Sequence, residues 1–101
     1  MPAYLLANVE TRHREGPSTF EIPDLKLRQS LRPGDWAKVI VSIDNDRERL
    51  WVLITEVAGR RYRAAVLQVP VRVNLKKDDV VDLGPEHVAD VVRSSSRTRA
   101  S

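Results

Sequence analysis

Trp36-Ala37-Lys38-Val39-Ile40-Val41-Ser42-Ile43, then Asp44-Asn45-Asp46-Arg47, then Glu48-Arg49-Leu50-Trp51-Val52-Leu53-Ile54-Thr55-Glu56-Val57, decides the fold. In the first run Ala37, Val39, Val41 and Ile43 share one parity, with Lys38 and Ser42 on the other. That period of two is the mark of a strand with one buried face. In the second run Leu50, Val52 and Ile54 share one face, and Trp51, Leu53 and Val57 the other. Both faces are apolar, so this strand is expected to be central or covered on both sides. Acidic groups alternate between Asp44 and Glu48 as in a calcium loop. However, Arg49 stands where that loop needs glycine, and Thr55 where it needs glutamate. A plain hairpin turn is expected instead.

Turn signals bracket these strands. Arg32-Pro33-Gly34-Asp35 carries proline and glycine at the middle positions of a type II turn. Gly59-Arg60 is a tight hairpin into a strand from Arg61 to Val69, with Tyr62, Ala64 and Val66 on one side and Arg61, Arg63, Ala65 and Leu67 on the other. Pro70 interrupts the alternation Val69, Val71, Val73, Leu75, so an edge strand or bent corner is expected there. Asp79 to Leu83 reads as another short strand. Gly84-Pro85-Glu86 reads as the start of a short helix that carries Val88, Val91 and Val92 toward the core. Upstream, Tyr4 to Val9 is an apolar strand or packed arm, and Phe20 to Ile22 a short extended piece. Asp24 is expected to cap a helical turn bearing Leu25, Leu27 and Leu31. Leu31 to Val39 is echoed by Leu75 to Leu83: an apolar residue, a basic residue, a turn ending in aspartate, then a strand. Asp78 replaces Gly34 in the second copy, and aspartate tolerates a positive φ.

The expected fold is mainly β: a small, partly open SH3-like β-barrel with a short C-terminal helical turn. The expected organisation is an N-terminal arm (residues 1–16), a barrel (17–92) and a disordered basic tail (93–101). Length agrees with one domain, since the chain has 101 residues, 42% of them hydrophobic and 31% charged. The net charge is +3, and the tail alone carries it, through Arg93, Arg97 and Arg99 with no acid. The rest is balanced, which argues against a uniformly basic nucleic-acid binder. With no cysteine, disulfides, thiolate zinc sites and cysteine nucleophiles are excluded. No run approaches a membrane span and the start lacks a signal peptide, so a cytoplasmic protein without membrane contact is expected.

Chemistry-bearing residues are few. His13 sits in the polar stretch Thr11 to Arg14, a solvated surface. His87 and Asp90 are spaced to meet on one helical turn, but no nucleophile accompanies them, so capping or packing is expected of His87. No catalytic residue, metal site or cofactor is expected. The candidate binding face is aromatic and cationic: Lys38, Trp51, Arg60, Arg61 and Arg63, bordered by Trp36 and Tyr62. Such a face suits a protein partner through aromatic anchors, or alternatively a nucleic acid through stacking and phosphate contacts.

Several segments in order resemble a family of small uncharacterised bacterial domains: Pro17 to Pro23, with its Thr-Phe-x-Ile-Pro; Leu31 to Ile40; Glu48 to Val57; and Pro85 to Val91, with its His-Val-x-Asp. Leu50 stands where that family has methionine, Asp78 where it has glycine, and Gln68-Val69-Pro70 where it has Asn-Asp-Pro. The resemblance spans about residues 17–92. It implies no established activity. Some relatives travel with toxin–immunity or defence genes, which implies an immunity or regulatory type of interaction.

Overall fold

The structure, a computed structural model, describes residues 4–16, 18 and 21–94. Six antiparallel strands form one sheet: β1 (Leu5–Leu6), β2 (Trp36–Ile43), β3 (Asp46–Ala58), β4 (Arg61–Val66), β5 (Val80–Leu83) and β6 (Asp90–Val92). Their order is β1-β2-β3-β4-β5, with β6 also on β2. The sheet curls into a small, partly open barrel, as the alternation predicts.

β2 and β3 pair in unbroken register from Trp36↔Leu53 to Ile43↔Asp46. This puts Ala37, Val39 and Val41 beside Leu50, Val52 and Ile54, all fully buried. Tyr62, Ala64 and Val66 of β4, Val81 and Leu83 of β5, and Leu31, Val73, Leu75 and Val88 from the connections join them in the interior. The loop between β2 and β3 is the two residues Asp44 and Asn45, so the calcium-like spacing is a hairpin turn.

A bulge between Ile54 and Glu56 changes the parity of β3. The sequence places Val57 on the face of Trp51 and Leu53; the extra residue at the bulge moves it opposite Tyr62 and turns Glu56 outward, opposite Arg63.

The two echoed turns are structural twins. Gly34 (φ 100°) and Asp78 (φ 75°) both occupy the left-handed region. Asp35 accepts the Arg32 N–H at 2.9 Å, and Asp79 accepts the Lys76 N–H at 2.8 Å. The first turn clasps Ile54 of β3 through Gly34 N–H and Asp35 C=O; the second clasps Val66 of β4 through Asp78 N–H and Asp79 C=O.

Three expectations are corrected. First, the apolar start is strand only at β1. Asn8 then caps a helix, α1 (Val9–Glu15), its side chain accepting the Thr11 N–H at 3.1 Å. Glu10 in the first turn and Arg12 to Arg14 in the last suit the helix dipole. Second, the helical turn near the C-terminus is a 3-10 turn limited to Pro85–His87, and Val91 and Val92 lie on β6. Third, Arg93 and Ser94 are docked: Asp35, 2% exposed, accepts the Ser94 N–H at 2.9 Å and faces Arg93. The rest of the expected tail (95–101), and Phe20 of the expected extended segment, lie outside the described residues.

The second helix, α2 (Leu25–Arg28), is capped by Asp24 as its sequence predicts. Its buried residue is not a leucine but Arg28. Arg28 donates to Pro23 C=O (2.8 Å), Glu10 carboxylate (2.6 Å) and Pro85 C=O (3.0 Å). One guanidinium thus joins α1, α2 and the 3-10 turn. Tyr62 fastens α2 to the barrel, its hydroxyl donating to Arg28 C=O and accepting the Leu31 N–H. Tyr4 accepts the Asp82 N–H at 3.1 Å, tying the residue before β1 to β5.

Residues 69–74 are the bent corner rather than a strand. Glu48 organises it by accepting the N–H groups of Val71, Arg72 and Val73. Burial raises the Glu48 pKa, but these three bonds and the Arg72 charge outweigh it and hold it below the usual 4.5. The stability this linkage supplies is present above 4.5 and is lost as pH falls through the lower folded value. An NMR pH titration is therefore expected to move the three amide resonances together with a midpoint below 4.5. Glu48→Gln removes that step; a midpoint at or above 4.5 contradicts the clamp.

Candidate binding surface

The outward parity of the sheet builds one continuous feature. Val92, Trp36, Leu53, Ala65 and Val80 are register partners across β6, β2, β3, β4 and β5. They make an apolar row on the outside of the barrel; Val80 is 45% exposed and the others are half-buried. Trp51 lies beside this row, opposite Lys38. Its ring centroid is 6.3 Å from that of Trp36, tilted by 55°, and Lys38 Nζ stands 4.9 Å above it. Arg49 and Arg47 continue the same face of β3, opposite Ile40 and Ser42. Lys38, Arg47 and Arg49 make no ion pair among the described residues.

This geometry divides the residues singled out from the sequence. Lys38, Trp51 and Trp36 are together. Arg63 shares the outer face but is held between Glu56 (3.8 Å) and Asp82 (3.4 Å). Arg60 and Arg61 sit at the β3–β4 hairpin tip, seven residues along β3 from Trp51, or roughly 20 Å at the rise of a strand. They belong to a separate cleft, where Arg61 contacts Glu86 at 3.4 Å. Tyr62 is not at the border of any face: it is 3% exposed, because its parity on β4 points it inward. Arg47 and Arg49 are missing from the sequence-derived set, although their alternation with Trp51 is the signal that finds them.

His87 and Asp90 do not meet on a helical turn. His87 ends the 3-10 turn, where its Nδ1 accepts the Gly84 N–H at 2.9 Å. Its proton is therefore on Nε2, 3.6 Å from Glu86. Burial pushes its pKa down, and the Glu86 and Glu10 carboxylates oppose that. Asp90 is on β6 opposite Lys38, with its carboxylate on the Val91 N–H. Among the described residues no group of three His, Asp or Glu side chains is placed to hold a metal ion, and no helix is long and apolar enough to cross a membrane.

Comparison of the chain with known protein families, with curated proteins and with solved structures finds no match.

Proposed function

We propose that the protein is a non-enzymatic binding module of immunity or regulatory type, built on an SH3-like barrel, whose outer sheet face docks a protein partner. The observation that carries this reading is the apolar row from Val92 to Val80 with Trp51 beside it. Aromatic anchors inside an apolar patch are the usual centres of interface energy. Lys38, lying over Trp51, and Arg47 and Arg49 border the patch with no ion pair among the described residues, so the partner surface that fits is apolar with a carboxylate rim. A non-enzymatic role is supported by His87, both of whose ring nitrogens face groups of the protein itself.

The same three cations beside Trp51 favour a nucleic acid as a second reading. Against it, Arg61 and Arg63 have acidic neighbours, and Lys38 covers a face of Trp51 that a base would need.

A photo-crosslinking residue in place of Leu53 is expected to capture one acidic-faced protein in cells, while the same residue in place of Glu15 captures none of it. With that partner purified, salt is expected to change affinity modestly. A steep loss of affinity with salt and a crosslinked oligonucleotide would replace the protein reading by the nucleic-acid one. Equal capture from both positions would remove the face.

A further inference from the structure

We infer that the cleft between the β3–β4 hairpin tip and the two helices binds an organic oxyanion, a small molecule bearing a phosphate or carboxylate, through Arg60 and Arg61, with Glu86 occupying the anion's place in the free protein. The cleft holds about 810 Å³, within the range of small-ligand sites. Its location is independent of the proposed protein-docking face.

The hairpin loop is just Gly59 and Arg60, and Gly59 at φ 61° makes the tight reversal possible. The reversal sets two guanidinium-bearing residues next to each other at the cleft. Arg60 is exposed and makes no ion pair among the described residues. Arg61 touches Glu86 at 3.4 Å, with half of its side chain open to solvent, so the contact is weak and exchangeable. Paired guanidinium groups match an oxyanion in charge and in planar donor geometry.

Gly84 shows how closely the internal ion pair is packed. A Cβ there would collide with the Glu86 carboxylate and stand 2.9 Å from Arg61 Nη1. The missing side chain leaves room for both groups over the backbone. His87 Nε2, 3.6 Å from the same Glu86 oxygen, gives that carboxylate another polar neighbour once Arg61 turns to a ligand. Glu10, the other carboxylate lining the cleft, is already bound to Arg28 at 2.6 Å and does not oppose an anion with its full charge. Leu25, 47% exposed, and Pro85 offer apolar contact for the organic part.

The test is an NMR titration of the full chain with phenyl phosphate and with benzoate at constant ionic strength. Saturable shifts are expected at the amides of Gly59, Arg60, Arg61 and Glu86. Arg60→Ala is expected to weaken binding about tenfold, the loss of one charge-assisted contact. Its exposed position keeps the fold intact, which the rest of the spectrum verifies. Glu86→Gln is expected to tighten binding several-fold by removing the internal competitor. Glu56→Gln removes an equal charge beside Arg63 and is expected to leave affinity unchanged. Tighter phenyl phosphate would identify phosphate as the anion, tighter benzoate a carboxylate. Unsaturable shifts, shifts centred on Lys38 and Arg49, or equal gains in both glutamine variants would overturn the site.

Discussion

Arg28→Ala is expected to be the most damaging single substitution outside the apolar interior, costing about 3 kcal/mol or more. The side chain is 6% exposed and serves three acceptors on three segments. Removing it leaves the Glu10 carboxylate without its partner and two carbonyls without a donor. Those groups lie where α1, α2 and the 3-10 turn meet, and the substitution removes the side chain that joins all three. For a domain of this size the loss corresponds to roughly a 12–20 °C fall in melting temperature. Arg28→Lys is expected to recover little, since one ammonium lacks the fork that reaches in several directions. Thermal unfolding followed by circular dichroism measures both. A loss below about 1 kcal/mol for Arg28→Ala would mean that the helices do not depend on this residue.

Asp35→Ala is expected to cost about 2–3 kcal/mol, and Asp79→Ala less than about 1 kcal/mol. The two aspartates sit at equivalent places in twin turns, each accepting the N–H three residues before it. What differs is the surroundings. Asp35 is 2% exposed, and its other oxygen accepts the Ser94 N–H while Arg93 approaches it. Asp79 is half-buried, and among the described residues its side chain accepts only the Lys76 N–H. Losing Asp35 thus strands two backbone donors and frees the segment that follows β6. Hydrogen exchange is expected to show faster exchange at Val92 and Ser94 in Asp35→Ala but not in Asp79→Ala. Equal destabilisation by both would show that the turn alone sets the cost, with no contribution from the docked C-terminal segment.

The barrel was legible because its physics is local. Alternation in Trp36–Ile43 and Leu50–Ile54 states which side faces the barrel interior, although Ile40, on the other parity, is buried as well, and Pro33-Gly34 and Gly59 state where the chain reverses. Asp78 standing in for glycine was also readable, since a short polar side chain tolerates positive φ. α1 was harder to see. It has few apolar residues for a period to register, and its signals are the Asn8 cap and the order of acid before base. The bulge at Thr55 was not readable at all, because one extra residue in a regular strand leaves no mark in composition. That bulge is why Val57 and Glu56 exchange faces.

The candidate site was legible in part for the same reason. Parity alone puts Lys38, Trp51 and Trp36 outside. It does not show that Arg63 is held between two carboxylates, or that a hairpin carries Arg60 and Arg61 to a different end of the barrel. The role of Arg28 is not legible in the sequence, because an arginine in a polar helix normally faces water; what buries it is the meeting of Glu10, Pro23 and Pro85, up to 57 positions away in the chain.

Affinity for the purified, crosslink-identified partner is the direct measure of whether the outer sheet face is the working surface. Isothermal titration of the wild type, Trp51→Ala, Arg49→Glu and Arg60→Ala is expected to give a roughly 30-fold loss for Trp51→Ala, about tenfold for Arg49→Glu, and less than about twofold for Arg60→Ala. Undiminished binding by Trp51→Ala, together with a large loss in Arg60→Ala, would place the contact at the hairpin cleft and contradict the account.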